Sequence, residues 1–297
     1  MDLSEAETRK LYIDNALKEA GWKVSSQDGA IIPSCACVEI ELQGMPNNAG
    51  VGYADYILFD DDSMPLAVIE AKKTSVDENV GAQQAKLYAD CIEKKWGRRP
   101  IIFYTNGYNI KIVANGYPAR KVYGYYTKEE LHSLIIRRSL SKITETRIDP
   151  KISDRYYIQE AATNVCETFN NNHRKSLIVM ATGTGKTRCA VSIVDLLQKC
   201  NWVKHVLFLA DRVELVKQAK NAFVTYLPNS SVCAISEEND EKDYDARVIV
   251  STYPSMMNLI DCEDKKFGVA KFDLIIIDEC HRSVYNKYKA IFNYFDS

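Results

Sequence analysis

The chain has 297 residues, enough for two domains of ordinary size, and its 46% hydrophobic and 26% charged residues can bury a core in each. A formal net charge of -2 excludes a globally basic nucleic-acid binder, although local patches such as KKWGRR (94–99) and Arg137–Arg138 can still meet phosphates. No apolar run approaches the roughly 20 residues needed to span a bilayer, and the acidic, polar start MDLSEAETRK lacks the basic-then-apolar order of a secretory signal.

The expectation is therefore a soluble, cytoplasmic protein that engages no membrane. Its nine cysteines are scattered and never take the C-x-x-C spacing of zinc or dithiol sites, so they read as reduced thiols. Cys35 and Cys37 read as strand residues.

In chain order, residues 5–20 place Leu11, Ile13, Ala16, Leu17 and Ala20 at helical spacing and stop at Gly21. Segments 36–42, 53–59, 66–72 and 101–105 read as strands, and 78–95 as a helix. Together they predict an α+β domain over residues 1–140. The stretch 141–155, SKITETRIDPKISDR, has neither periodicity and contains Pro150, which predicts a linker.

Residues 156–297 change style. SLIVM (176–180), HVLFLA (205–210), ARVIVST (246–252) and FDLIIID (272–278) are apolar on both faces and separated by helical stretches. That alternation predicts a parallel sheet covered on two sides. The acidic run 237–245 reads as a solvated loop.

Within the second domain, MATGTGKT (180–187) joins a predicted strand to a predicted helix, the context a phosphate loop requires. Gly183 and Gly185 let backbone amides converge on an anion, with Thr182 and Thr184 completing the turn; Lys186 reaches the β and γ phosphates and Thr187 can ligate magnesium. The loop departs from the general pattern in carrying Met180 where glycine is usual. IIIDECH (275–281) supplies the partner strand, on which Asp278 would hold the metal and Glu279 would polarise the attacking water.

In the first domain, GYADYILFDDDSMPLAVIEAKKT reads as an antiparallel hairpin. A turn centred on Asp62 and Ser63 puts Asp55 opposite Glu70, with Lys72 on the same face. Opposed carboxylates destabilise a sheet unless a cation sits between them. Magnesium held by Asp55 and Glu70 beside Lys72 would make a phosphodiester-cleaving site. An ordinary hairpin neutralised by Lys72 and Lys73 is the alternative.

The order of these motifs carries a resemblance. MATGTGKT with DECH resembles the superfamily 2 helicases, and LADR (209–212) and STY (251–253) resemble that superfamily's nucleic-acid-contacting motifs, which implies DNA contacts for Arg212 and Thr252. By the same resemblance Gln159 in RYYIQEAA would read adenine. Asp55, a short hairpin and Glu70-Ala71-Lys72 resemble the PD-(D/E)XK nucleases, with Gln84 and Tyr88 of QAKLY matching the Q-x-x-x-Y element of one branch and Glu7 as a further acidic candidate.

Both halves together, with ETR (7–9) and FYTNG (103–107), resemble the restriction (R) subunit of type I restriction-modification enzymes. The resemblance implies ATP and Mg2+ as cofactors, and double-stranded DNA and the methyltransferase (M) and specificity (S) subunits as partners. It also implies a motor that pulls duplex DNA while the nuclease cuts remotely. The chain ends soon after Asp278, so the resemblance implies an amino-terminal fragment with an incomplete motor and little ATPase of its own. A stand-alone helicase and an assembly or sensing module with an inactive nuclease remain open at this point.

Overall fold

A computed structural model describes residues 4–140, 143, 148–236, 242–262, 265–280 and 286–297. The chain divides into two compact units, Met1–Arg138 and Ser139–Ser297. Each is described by itself.

The first unit opens with α1 (Glu5–Thr8), a π-helical turn (Arg9–Ile13) and α2 (Asp14–Glu19), which bury Ile13 and Leu17 at the expected spacing. A seven-stranded sheet follows, in spatial order β1 (Lys23–Val24), β2 (Cys35–Gln43), β3 (Val51–Phe59), β4 (Pro65–Ala71), β5 (Ile101–Thr105), β6 (Ile110–Val113) and β7 (Arg120–Val122). Neighbours are antiparallel except β1–β2 and β4–β5. A parallel pair needs a long crossover. Here a 3-10 turn (Glu78–Gly81) and α3 (Ala82–Trp96) provide it, laying Ala85, Tyr88, Ala89 and Ile92 on Ile57, Phe59, Val68 and Ile102. Gly97, at φ +72, caps α3 in the left-handed region. On the other sheet face Tyr56 donates to Asp14 at 2.7 Å, and Phe103 meets the rings of Tyr125 and Tyr126 edge-on. Near it α4 (Lys128–Arg137) starts with a capping box between Thr127 and Glu130. β4 is buried along its whole length, Glu70 included.

The second unit carries four parallel strands in the order β11 (Leu274–Ile277), β8 (Val206–Ala210), β10 (Val248–Thr252) and β9 (Val232–Ile235). Alternate residues of β8 enter different cores. Val206, Phe208 and Ala210 meet α5 (Tyr156–Asn170), α6 (Lys186–Lys199) and α7 (Val213–Tyr226); Leu207 and Leu209 meet α8 (Tyr253–Ile260), Phe272 and α9 (Lys289–Tyr294). This is the doubly covered parallel sheet that apolar runs on both faces predict. Both units have the expected mixed α/β architecture, the first an α+β unit around a mixed sheet and the second an α/β unit around a parallel sheet.

Three expectations need comment. Residues 176–180 form no strand: Leu177 is 80% and Val179 87% exposed. A strand exists only with a hydrogen-bonding neighbour, and among the described residues β11 is an edge that pairs with β8 alone. The stretch read as a linker sends Ile143 and Ile152 into the core of the second unit. Of the acidic run 237–245, residues 237–241 lie outside the described residues, as does His281 of the DECH motif. All nine cysteines are free.

Candidate active sites

The hairpin register is set by its apolar runs. Tyr56 pairs with Ile69, Ile57 with Val68 and Leu58 with Ala67, and an irregularity then brings Phe59 against Pro65. Continued one residue towards the open end, the same register sets Asp55 against Glu70. The turn closes through the Ser63 N–H to the Asp60 carbonyl at 3.1 Å and the Asp60 N–H to the Met64 carbonyl at 2.9 Å.

The two carboxylates have different surroundings. Asp55 accepts from the Ala71 N–H at 2.7 Å through Oδ2 and from Arg9 Nη1 at 2.8 Å through Oδ1. Burial nonetheless lifts its pKa above the usual range, the Ala71 N–H and Arg9 pulling the other way. Glu70 accepts only from Lys72 Nζ, at 2.6 Å through Oε1; its Oε2 is buried without a partner. Burial, helped by the charge of Asp55, pushes Glu70 up to about 8. Burial also opposes the charge on Lys72, but the bond to Glu70 and the surrounding carboxylates outweigh it and raise its pKa.

Lys72 further donates to Gln84 Oε1 at 3.1 Å, and Gln84 Nε2 donates to the Tyr88 hydroxyl at 2.8 Å. α3 therefore delivers the expected i, i+4 pair to the lysine, because the crossover must pack on the strand that bears it. Gly81 admits this packing: a Cβ there would stand 3.1 Å from Glu70 Cγ.

Glu7 is not among these groups. Its carboxylate accepts the Ser4 N–H at 2.9 Å and the Ser4 hydroxyl at 2.7 Å in a capping box. The nearby acid is Glu5, 3.9 Å from Lys72 Nζ. Reading by spacing missed Glu5, Arg9 and Glu39; Arg9 bridges Asp55 to Glu39. EAETR contained the signal, since residues four apart share a helix face.

A divalent cation fits this hairpin. The partnerless buried oxygen of Glu70 is an acceptor awaiting one, and a lone buried carboxylate oxygen is costly. Among the described residues no group of three or more His, Cys, Asp or Glu side chains could hold an ion by itself. That donor set suits magnesium, which takes one or two carboxylates and completes its shell with water and substrate phosphate.

In the second unit the phosphate loop precedes α6. Gly183 lies at φ +76 and Gly185 at φ +102, conformations glycine adopts without strain. Thr184 folds the loop on itself, its hydroxyl donating to the Ala181 carbonyl at 2.7 Å. Thr182 is exposed, and Thr187 sits half-buried in the first turn of α6. Lys186 Nζ lies 2.6 Å from Glu279 Oε1, and that bond raises the lysine pKa. Burial, together with the charge of Glu279, raises Asp278, which follows β11 and is fixed by its N–H to the Leu209 carbonyl at 2.9 Å. Glu279 holds φ at +51, a left-handed geometry unusual for glutamate.

The remaining candidates fall as follows. Gln159 donates to the Ser153 carbonyl at 3.4 Å, on the helix that adjoins the loop. Arg155 and Tyr157, which the motif reading missed, both donate to the Thr184 carbonyl, at 2.9 and 3.0 Å. Arg212 is exposed at the start of α7. Thr252 is buried, and its hydroxyl caps α8 by accepting the Ser255 N–H at 3.3 Å, which leaves it turned away from solvent.

Known proteins resemble both parts of the chain in sequence. Residues 38–121 match the family "Type I restriction enzyme R protein N terminus", and residues 151–297 match "Type III restriction enzyme, res subunit". The chain is 29% identical over 328 residues to the type I restriction enzyme EcoAI endonuclease subunit of Escherichia coli, covering 100% of this chain and 38% of that protein. It is 26% identical to the EcoKI endonuclease subunit of Escherichia coli strain K12, covering 95% and 29%. A fragment structure of a putative HsdR subunit from Vibrio vulnificus YJ016 is 26% identical, with a TM-score of 0.38, over 97% of this chain and 53% of that one. The chain thus spans well under half the length of the two curated relatives. In sequence the two parts of the chain are thus similar to the amino-terminal portions of type I restriction enzyme endonuclease subunits.

Proposed function

We propose that the chain is the nuclease and first motor portion of a restriction subunit that couples ATP-driven translocation on double-stranded DNA to Mg2+-dependent cleavage. Residues 1–140 act as the nuclease, 156–297 as the first motor lobe, and 141–155 join them. The observation that carries the reading is the partnerless buried Glu70 Oε2 beside Asp55 and Lys72.

Asp55 and Glu70 would hold the ion, which when bound supplies an acidified water and steadies the leaving oxygen. Lys72, held by Gln84, keeps a positive charge beside the attacking water and the scissile phosphate. Tyr88 fixes Gln84 in turn.

In the motor, the amides of Gly183–Gly185 and the amino terminus of α6 accept phosphate. Lys186 exchanges its bond to Glu279 for the β and γ phosphates, which releases Glu279 to orient water. Thr187 and Asp278 would hold the accompanying magnesium, and Gln159 the adenine edge. Arg212, exposed at the start of α7, would meet a DNA phosphate. Thr252 reaches DNA only if its cap on α8 opens.

The M and S subunits would anchor the assembly on DNA in the cytoplasm. Among the described residues no helix is long and apolar enough to cross a membrane.

The test uses the full-length subunit assembled with its partners. Asp55→Ala should abolish cleavage and leave ATPase intact, and Lys186→Ala should abolish both. Normal cutting by Asp55→Ala overturns the nuclease assignment.

A further inference from the structure

Two irregularities of the first unit lead to one point. The π-helical turn Arg9–Ile13 interrupts an otherwise α-helical segment, and such turns cluster at functional sites. Glu39, in the middle of β2, holds φ at +51, where a residue with a side chain is strained. Its neighbours are in regular register, Val38 with Tyr56 and Ile40 with Ala54. Glu39 therefore lies in one row with Asp55 and Glu70 across β2, β3 and β4.

Arg9 Nη1 sits between these strands, hydrogen-bonded to Glu39 Oε1 and 2.8 Å from Asp55 Oδ1. The helix is held close by Gly107, where a Cβ would stand 2.8 Å from Thr8 Cγ2. Thr8 itself is fully buried. An exposed ion pair would need neither the strained glutamate nor the tight glycine.

The charge pattern explains what the construction does. Each hairpin carboxylate has one resident cation, Lys72 on Glu70 and Arg9 on Asp55. The lysine leaves Glu70 Oε2 open to an incoming ion. At Asp55 both oxygens already have a partner, Arg9 on Oδ1 and the Ala71 N–H on Oδ2.

We propose that Arg9 is the built-in counter-ion of the cleavage hairpin: tethered by Glu39, it occupies with its guanidinium the place at Asp55 Oδ1 that a divalent cation takes, and it must release Asp55 for the ion to bind. Arg9 is thus a positioning residue that sets cation affinity. The proposal rests on the reading of Asp55 and Glu70 as cation ligands.

Calorimetric titration of Mn2+ into the whole chain tests it. Arg9→Gln should bind roughly tenfold more tightly than the unchanged protein, since a like charge within a few ångströms opposes the ion. Arg9→Lys, which keeps the charge, should stay near the unchanged value, and Asp55→Ala should not bind. Damage to a merely structural bridge would weaken binding, so equal or weaker binding by Arg9→Gln overturns the proposal alone. Absence of binding by every form, the unchanged chain included, overturns the cation reading with it. A second measurement needs no folded variant: saturating Mg2+ should speed exchange of the Arg9 Nη protons with water in the unchanged chain. An exchange rate that does not rise overturns the proposal equally.

Discussion

The two candidate sites are built on opposite plans. In the first unit Glu70 lies on a strand buried along its whole length and Asp55 on the half-buried part of the neighbouring strand, each carboxylate bonded within the unit. In the second unit the loop is exposed at Ala181–Gly183 and half-buried from Thr184 to Thr187, and the segment before it forms no strand, with Leu177 80% and Val179 87% exposed. The hairpin surrounds its charge with its own strands and helices. In the proposed reading the loop before α6 offers amides and a lysine to a ligand that brings the charge; in the structure Lys186 rests on Glu279. A buried site demands a completed core around it; a helix-terminus site demands only glycines and an amino terminus.

The comparison can be broken most forcefully at the core of the first unit. Phe103 is fully buried between Tyr125 and Tyr126. Phe103→Ala should cost about 3–5 kcal/mol, read by hydrogen exchange of β3–β5 amides, with metal binding at the hairpin lost in parallel. Retained binding at that cost would show that the hairpin stands without its core.

Gly185→Ala sharpens the same contrast in the second unit. An alanine at φ +102 would also set its Cβ 3.2 Å from Ile158 Cδ1. The left-handed conformation costs roughly 1–2 kcal/mol. Nucleotide binding, measured by equilibrium titration, should fall much more than stability does, because the amides lose their convergence while in the core only the terminal methyl of Ile158 has to shift.

How far the sequence shows this difference depends on the range of the forces involved. The hairpin is legible because two apolar runs flank an acidic turn, and the centre of that turn then fixes which residues face each other. Glycine at 183 and 185 and the helix of 186–199 are legible because phosphate loops are local. Gln84 and Tyr88 are legible as a helical pair, but their bond to Lys72 depends on how the crossover packs. Arg9 and Glu39 lie 30 residues apart, and no spacing rule joins a helix to a third strand. The failed strand 176–180 shows the reverse error: apolar composition gives a preference for pairing without supplying the neighbour. The short β1, β6 and β7 have too few residues for alternation to register.

His205 gives a pH signature confined to the second unit. Burial, followed by the charge of Lys271, lowers its pKa from the ordinary 6.5. The fold therefore holds it neutral. Below the ordinary value the unfolded chain binds a proton that the folded unit resists, so stability falls as pH drops through 6.5 towards the lower folded value and is unaffected above it. The slope is at most one proton, about 1.4 kcal/mol per pH unit. Hydrogen exchange of β8 amides between pH 7 and 5 should show it, and His205→Gln should remove it while leaving exchange at pH 7 unchanged.

The smallest effect bears most directly on the open plan of the second unit. Val179→Ser replaces a β-branched apolar residue in a run that composition marks as a buried strand, where the loss would reach about 1–3 kcal/mol. At 87% exposure there is little apolar area to lose, so the expected change in stability is within about 0.5 kcal/mol. Val250→Ser, on a strand fully buried between β8 and β9, serves as the calibrating control within the same sheet. If Val179→Ser destabilises the unit as much as Val250→Ser does, residues 176–180 are packed as a strand in solution. The phosphate loop would then hang from the sheet as firmly as Glu70 hangs from β4, and the contrast between the two sites would reduce to one of charge alone.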